Sequence, residues 1–213
     1  MNKTRAKTVL HWAGGKARLL DELFKQFPTE INNYYEPFIG GGSVFIELLE
    51  RIDEQSIRVT GKIYVNDINE TLVKLYKAIK WKPKELIQTL GAMSKIHGSS
   101  KQYYQLRDYF NYSAKGIYKV ALFVVLNKTC FRGLYRENAN GQFKVGYGNY
   151  KNPTIINDSV ASNIRRLSCL FRKYKVKFTS FDAVTFLKRY KYSKKDFIYL
   201  DPPYYSTFDK YNA

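Results

Sequence analysis

The residues with the clearest chemical potential are Asp201, Pro202, Pro203 and Tyr204, which follow the apolar run 197–200. This run predicts a buried parallel strand, and the two prolines end it because they remove two backbone donors and fix two φ angles. A carboxylate, a carbonyl oxygen and an aromatic ring are thus expected at the carboxyl end of a strand, where open α/β sheets bind ligands.

An aromatic amine such as the amino group of adenine is a poor nucleophile, because its lone pair is delocalised into the ring. If Asp201 and the Pro202 carbonyl each accept one of its N–H bonds, the nitrogen is held pyramidal and its lone pair points at an incoming electrophile. Tyr204 can stack on the base, and an aromatic face also favours a sulfonium methyl donor. The simpler interpretation is a strand followed by a Pro-Pro turn with an acidic cap.

Further candidates lie near the N-terminus, where Trp12, Gly14 and Lys16 belong to the segment H-W-A-G-G-K. The glycines allow a ligand to approach the backbone closely, and leucines at helical spacing predict a helix directly after Lys16. The first amides of this helix and Lys16 would face a carboxylate. A Trp anchor before a Gly turn is the alternative.

Two predicted strands end in residues suited to a nucleotide-like ligand. Residues 34–49 predict a strand, a glycine loop and a helix, with Glu36, Phe38 and Gly40 in or beside the loop. The loop is not G-x-G-x-x-G, so a phosphate site is not implied. The next predicted strand ends at Asp67, whose carboxylate would accept hydrogen bonds from ribose hydroxyls. A cap for the following helix is the other role open to Asp67.

Helical periodicity dominates from residue 70 to about residue 127, and this block is too long for one crossover between parallel strands. We therefore expect an inserted helical domain. A third strand is predicted over 176–182 and a short helix over 183–190, which return the chain to the sheet before Asp201.

The densest aromatic and basic segment is 127–153, in which Asn140-Gly141 predicts a hairpin turn. A ring and several cations on this hairpin are suited to wedging between base pairs and to contacting guanine edges and phosphates. They are Phe131, Arg132, Arg136 and Lys144. An ordinary surface hairpin whose aromatics pack on the helices is the alternative.

Composition favours a polyanionic partner. The 213 residues carry a net charge of +18, and the window from Lys101 to Lys175 holds fourteen basic but three acidic residues. A basic solvated surface would give the same excess. The sequence has only two cysteines, which do not form C-x-x-C, and two histidines, so a zinc site is not expected. No apolar run approaches the length of a membrane span, which is about 18 residues. A soluble, cytoplasmic protein without metal is expected.

Together these motifs resemble the Dam-type adenine-specific DNA methyltransferases (D12 class, alpha group), over nearly the whole chain. D-P-P-Y is similar to the signature [DNS]-P-P-[YFW] of amino-methyltransferases that use S-adenosylmethionine, and W-A-G-G-K and E-P-F-I-G-G-G-S are similar to two cofactor motifs of the family. The resemblance gives catalytic roles to Asp201, Pro202, Pro203 and Tyr204. The cofactor contacts that it implies are Trp12, Gly14, Lys16, Glu36, Phe38, Gly40, Asp67, Ser180, Phe181 and Asp201. The expected DNA contacts, all in the hairpin 127–150, are Phe131, Leu134 and Arg136, which the resemblance implies, and Arg132 and Lys144, which their charge favours.

The expected fold is therefore α/β: a doubly wound, Rossmann-like methyltransferase core over 1–69 and 175–213, with a helical target-recognition insertion over 70–174. The reaction that the resemblance implies is methyl transfer from S-adenosylmethionine to the exocyclic amino group of a flipped adenine in double-stranded DNA, without a metal. Arg132 and Gly146 stand where the best-known members have Asn and Pro. A GATC target is therefore not carried over.

Two other functions stay open. One is an RNA or protein-glutamine amino-methyltransferase, and the other is an inactive or split DNA-binding fragment. The second is motivated by the nine residues that follow D-P-P-Y, where the family adds further strands and helices that complete the sheet. A longer product or a complementing C-terminal chain is therefore expected, with poor solubility or little activity for these residues alone.

Overall fold

The computed structural model describes residues 4–94 and 99–203, in which short strands alternate with helices. The strands are β1 Glu30–Ile31, β2 Tyr34–Glu36, β3 Arg58–Val59, β4 Ile63–Asn66, β5 Lys177–Thr179 and β6 Phe197–Ile198. The α-helices are α1 Leu20–Lys25, α2 Ser43–Asp53, α3 Glu70–Trp81, α4 Pro83–Met93, α5 Ser100–Tyr112, α6 Gly116–Thr129, α7 Asp158–Lys173 and α8 Ala183–Lys188. The predicted α/β class is confirmed.

Four strands form a parallel sheet in the order β5-β4-β2-β6. Tyr35 in β2 lies opposite Tyr64 of β4 on one side and opposite Ile198 of β6 on the other. The chain runs outward from β2 to β4 and β5, and then returns to the other side of β2. The strand order thus reverses between β2 and β6, which is the place where doubly wound sheets bind ligands.

Aromatic packing covers one face of this sheet. Phe45 of α2, Tyr76 of α3 and Phe171 of α7 all meet Phe178 of β5, with ring centroids 5.1 to 5.9 Å apart. Burying four large rings against one strand gives this layer much of its stability, because each ring removes a large apolar area from water.

The other face carries Tyr35 and Tyr64, whose rings stack with centroids 5.1 Å apart. Tyr190 and Tyr192, which follow α8, pack against this pair. Side chains alternate between the faces of a strand, so neighbouring residues of β2 contribute to both layers. Packed aromatic rings therefore cover β5 on one face of the sheet, and β2 and β4 on the other.

Helices α3 to α7 extend this core rather than standing apart from it. Helix α6 is buried over its middle and packs on α3, α4 and α5, while α3 also packs on α7 and β5. Buried residues of the sheet and of these helices form one hydrophobic cluster. The division into a core and an insertion over 70–174 stays a prediction.

Two predicted elements differ from the structure. The strand before Asp201 is shorter than predicted and is not buried on both faces, since Ile198 is 36% and Leu200 56% exposed. It lies at an edge of the sheet as far as the described residues show. The N-terminal helix begins at Leu20 and not directly after Lys16. The residues between form consecutive turns, and no side chain caps the helix at Leu19.

Candidate active site

Three loops meet at the carboxyl edge of the sheet where the strand order reverses. They follow β2, β4 and β6, and they carry Gly40, Asp67 and Asp201. The N-terminal segment lies across them, because Lys16 Nζ approaches Asp201 Oδ2 at 2.6 Å. Residues that are far apart in sequence are thus joined at the point where the topology predicts a ligand site.

The Lys16–Asp201 ion pair is partly withdrawn from water, with 14% of the lysine and 25% of the aspartate side chain exposed. Lys16 Nζ also donates to the Gly14 carbonyl at 2.9 Å, and the Lys16 amide donates to Ser43 Oγ at 3.1 Å. Partial burial strengthens such a charge-assisted hydrogen bond compared with an exposed pair. The pair holds the carboxylate of D-P-P-Y against the W-A-G-G-K segment.

The structure describes only part of the rest of D-P-P-Y. Pro202 and Pro203 are exposed beyond Asp201, whereas Tyr204 lies outside the described residues. The structure thus places the carboxylate and the two prolines at the sheet edge. The stacking role of Tyr204 stays a prediction.

Asp67 connects the loop after β4 to the glycine loop. Its Oδ2 accepts a hydrogen bond from the Gly40 amide and its Oδ1 accepts one from the Asn69 amide, both at 2.9 Å. The cap of α3 is Asn69, whose side chain accepts from the Leu72 amide. The alternative role of Asp67 as that helix cap is therefore wrong. Burial raises the pKa of Asp67, while the two amides oppose this rise.

Trp12 lies between the glycine loop and the hairpin. A Cβ added at Gly40 would lie 2.9 Å from Trp12 Cδ1, and one at Gly41 would lie 2.8 Å from Trp12 Cβ, so both positions require glycine. On its other side Trp12 stacks on Tyr135, with ring centroids 5.5 Å apart and planes 15° apart. The indole is thus an anchor, and this packing leaves its role as a cofactor contact a prediction.

Two predicted cofactor residues lie in the loop after β5. Ser180 Oγ donates to the Asp67 carbonyl at 2.9 Å, and the Phe181 backbone exchanges two hydrogen bonds with the Asn66 side chain. The Arg189 guanidinium lies 4.3 Å from the centre of the Phe181 ring. Phe38, in the glycine loop, is partly exposed. These bonds join the ends of β4 and β5, so they position Ser180 and Phe181 beside Asp67.

Glu36 is buried beneath these loops, with 2% of its surface exposed. Tyr34 Oη donates to its Oε2 at 2.6 Å. Burial raises the pKa of Glu36 to about 8; the Tyr34 hydrogen bond opposes this rise, and the negative charges of Asp201 and Asp67 add to it. At neutral pH the Glu36 carboxyl group is therefore mostly protonated.

Replacing Glu36 by glutamine is expected to make the free energy of unfolding less sensitive to pH. The unfolded chain loses this proton near the ordinary value of 4.5 but the folded protein only near 8, so the parent protein loses stability as pH rises between these values. Glutamine keeps the acceptor for Tyr34. The stability of Glu36→Gln relative to the parent should therefore rise across this window, by at most about 1.4 kcal/mol per pH unit. Urea unfolding at several pH values measures this difference.

Tyr34→Phe provides the comparison for that measurement. It removes a hydrogen bond that favours the ionised carboxylate, so its pH-dependent loss should extend to higher pH than in the parent. The free energy of unfolding of Glu36→Gln relative to the parent is compared between about pH 5 and pH 8. A constant difference across this range would contradict the raised pKa of Glu36.

The predicted hairpin is present, although its pairing is limited. Glu137 bridges to Phe143, the Asn138 amide donates to the Gln142 carbonyl at 2.9 Å, and Gly141 has a φ of 70°. The turn is therefore wider than the two-residue turn that Asn-Gly favours in regular hairpins. No regular strand forms between residues 127 and 150, which the structure describes throughout.

The predicted DNA contacts differ in exposure. Phe131 is 51% exposed, and the guanidinium of Arg132 lies 5.1 Å from the centre of its ring. Arg132 and Lys144 are exposed, whereas Leu134 and Arg136 are partly buried. Arg132 has a φ of 55°, a left-handed conformation that bulky residues rarely adopt. Phe131 and Arg132 thus form a projecting pair at the start of the hairpin.

Asn127 ties this hairpin to the N-terminal segment. It is 0% exposed, its Oδ1 accepts from the His11 amide, and its Nδ2 donates to the carbonyls of His11 and Gly133, each at 2.9 Å. Asn127 is the first residue of the predicted hairpin segment, but its role was not predicted, and neither was Tyr135 as the partner of Trp12. No pattern in the sequence indicates these two contacts, because each joins segments more than 100 residues apart.

Two kinds of feature are missing from the described part of the chain. No group of three or more His, Cys, Asp or Glu side chains there is arranged to hold a metal ion. Residues 4–94 and 99–203 also contain no helix that is both long and apolar enough to cross a membrane.

Comparisons with known proteins show the family to which the chain is similar. Residues 12–213 match the family model for the D12 class N6 adenine-specific DNA methyltransferases. Over 93% of the chain it is 36% identical to the type II methyltransferase M.MjaIII of Methanocaldococcus jannaschii, covering 69% of that protein. It is 33% identical to the type II methyltransferase M1.LlaDCHI of Lactococcus lactis (95% of the chain, 67% of the relative) and 31% identical to the DNA adenine methylase of Haemophilus influenzae (95% and 65%). The chain thus spans about two thirds of the length of these relatives.

Proposed function

Because the chain belongs to the D12 class of N6 adenine-specific DNA methyltransferases, we propose that Asp201 and Pro202 orient the exocyclic amino group of a target adenine. The position of Asp201 carries this proposal, since it lies at the strand-order reversal and is joined there to Lys16 at 2.6 Å. The carboxylate and the Pro202 carbonyl accept the two N–H bonds of the amine. The negative charge of Asp201 also stabilises the positive charge that develops on the nitrogen.

The side chains around Asp201 suit S-adenosylmethionine. Lys16 offers a cation for a carboxylate, the Asp67 carboxylate offers acceptors for ribose hydroxyls, and a Cβ at Gly14 would meet no atom within 4 Å. When bound, this cofactor supplies an electrophilic methyl group. Residues assigned to hold it are Trp12, Gly14, Lys16, Glu36, Phe38, Gly40, Asp67, Ser180, Phe181 and Asp201. Buried Glu36 acts by supporting the glycine loop.

The adenine reaches Asp201 by leaving the base stack. Extrusion of a base costs a few kcal/mol, which contacts elsewhere on the duplex must offset. Phe131 is 51% exposed beside Arg132, and it fills the space that the base leaves. Leu134 and Lys144 add apolar and phosphate contacts, and the roles assigned to Pro203 and Tyr204 are to complete the catalytic motif and to stack on the base. The helical part, 70–174, carries this recognition surface.

Methyl transfer to duplex DNA, RNA and protein, each offered with labelled S-adenosylmethionine, tests this function. We expect label in duplex DNA alone. Label in RNA or in protein would favour the other amino-methyltransferases that use an x-P-P-[YFW] loop. DNA binding without label would favour an inactive DNA-binding protein. The complementing C-terminal chain expected from the sequence has no support in the comparisons or in the described residues.

Replacing Arg132 by asparagine is expected to relax sequence preference at one base position, at a cost of about 1 to 3 kcal/mol there. Asparagine tolerates the left-handed backbone at this position, where φ is 55°, so the change removes the guanidinium without adding strain. Competition binding against duplexes that differ by one base pair measures the preference.

Lys144→Ala is the matched control for Arg132→Asn. Lys144 is exposed on the same hairpin and should contact phosphate, so its loss should weaken binding to all duplexes equally. If Arg132→Asn also weakens all sequences equally, Arg132 contacts phosphate and the assigned base contact is wrong.

A further inference from the structure

An open groove of about 710 Å³ lies between α3, the end of α5 and the start of α6. It is separate from the Lys16–Asp201 pair, and neither of those residues lines it. Five of its lining residues are lysines and none is acidic. The lysines are Lys74, Lys77, Lys82, Lys115 and Lys119.

The positive charge of this lysine groove is only partly neutralised. Lys74 pairs with Glu70 at 2.7 Å and Lys82 pairs with Glu85 at 3.0 Å, but these are exposed pairs within one turn of helix, which contribute little. The ammonium groups of Lys77 and Lys115 have no ion pair or hydrogen bond with any described residue. The groove therefore keeps a net positive potential at its opening.

Large aromatic side chains stand at the same opening. Trp81 is 67% and Tyr112 is 72% exposed, although rings of this size usually bury most of their surface. Amphipathic rings among lysines suit a ligand that has apolar sugar surface between anionic groups. A simple inorganic anion would not use them.

The lysine groove is continuous with the hairpin. Asn111 lines the groove, and its side chain exchanges two hydrogen bonds with the Phe143 backbone, at 2.9 and 3.1 Å. At the other end Thr71 lies near the start of α3, two residues after Asn69, whose amide donates to Asp67 in the loop after β4. A duplex held by the hairpin would therefore pass beside the groove.

We propose that the lysine groove binds the sugar-phosphate backbone of the duplex outside the recognised sequence. The proposal rests on the proposed function, because it takes duplex DNA as the ligand of the hairpin. Lys77 and Lys115 contact phosphates, and Trp81 and Tyr112 pack against sugars. These contacts carry no sequence information, but they fix the position of the duplex and lengthen the bound segment.

The test is the salt dependence of binding to a fluorescent duplex of arbitrary sequence that extends several helical turns. The double variant Lys77→Gln/Lys115→Gln should lower the magnitude of the slope of log K against log salt by about 2, about 1 for each phosphate that no longer meets a lysine. The matched control is Lys62→Gln/Lys177→Gln, two exposed lysines at the amino ends of strands, remote from the hairpin. It should leave the slope unchanged.

An unchanged slope for the groove variant, or an equal fall for the control pair, would overturn the proposal. Binding of an acidic peptide to the parent that is lost in the groove variant, with no change in the slope for DNA, would instead indicate a protein ligand. Both positions are exposed, so a thermal melt like that of the parent is expected and confirms folding. Methyl transfer by the parent is measured separately. Absence of transfer would contradict the proposed function, whereas an unchanged salt dependence would contradict only the proposed role of the lysine groove.

Discussion

Replacement of Asp201 by alanine is expected to reduce methyl transfer by about 10³-fold or more at saturating cofactor, because the acceptor that orients the amine and stabilises its charge is lost. DNA binding should stay within a few fold of the parent, since the hairpin and the lysine groove carry the duplex contacts. Asp201→Asn keeps one oxygen acceptor without its charge, and it should lose less activity than alanine. Single-turnover transfer and duplex binding measure the two effects.

Lys16→Met is the control for Asp201→Ala, because both break the 2.6 Å ion pair between the N-terminal segment and the loop after β6. If the pair only stabilises the loop, the two variants should lose the same activity at saturating cofactor. We expect Asp201→Ala to lose far more, and Lys16→Met to act mainly on cofactor affinity. Loss of duplex affinity in Asp201→Ala as large as its loss of activity would contradict the assigned role.

Replacement of Asn127 by alanine is expected to cost about 2 to 4 kcal/mol of stability and to weaken duplex binding. The change removes three hydrogen bonds at a 0% exposed position, and it leaves the buried Gly133 carbonyl and the partly buried backbone groups of His11 without this partner. The hairpin then loses its fixed position relative to Trp12. Denaturant unfolding and duplex titration measure the two consequences.

Asn138→Ala gives the matched comparison on the same hairpin. Asn138 is exposed and its Oδ1 accepts from the amides of Asn140 and Gln142, which water can replace. It should therefore cost less than about 1 kcal/mol. Equal losses in the two variants would contradict the role of Asn127 as the buried tie between the hairpin and the N-terminal segment.

The strand ends could be predicted from sequence because local patterns specify them. An apolar run followed by glycine, acid or proline marks the ends of the three strands that precede Gly40, Asp67 and Asp201, and parallel strands bring their carboxyl ends to one edge. The residues Gly40, Asp67 and Asp201 were found in this way, and the structure brings their loops together. The helix after Lys16 was predicted too early, since periodicity alone does not give its first residue.

Long-range pairing could not be predicted in the same way. The stack of Trp12 on Tyr135 and the contacts of Asn127 with His11 depend on how the hairpin folds back over the N-terminal segment. The lysine groove depends on the packing of three helices, although its charges were part of the basic excess. Burial of the strand before Asp201 depends on its position in the sheet, which its own residues do not specify.

Identification of the methylated nucleoside distinguishes transfer to adenine from transfer to any other base. Duplex DNA is incubated with the protein and S-adenosylmethionine that carries an isotopic label in the methyl group, digested to nucleosides, and examined by mass spectrometry. We expect label in N6-methyladenine alone, and at least about 10³-fold less of it from the Asp201→Ala variant. Label in N4-methylcytosine, or equal label from the parent and from Asp201→Ala, would contradict this expectation.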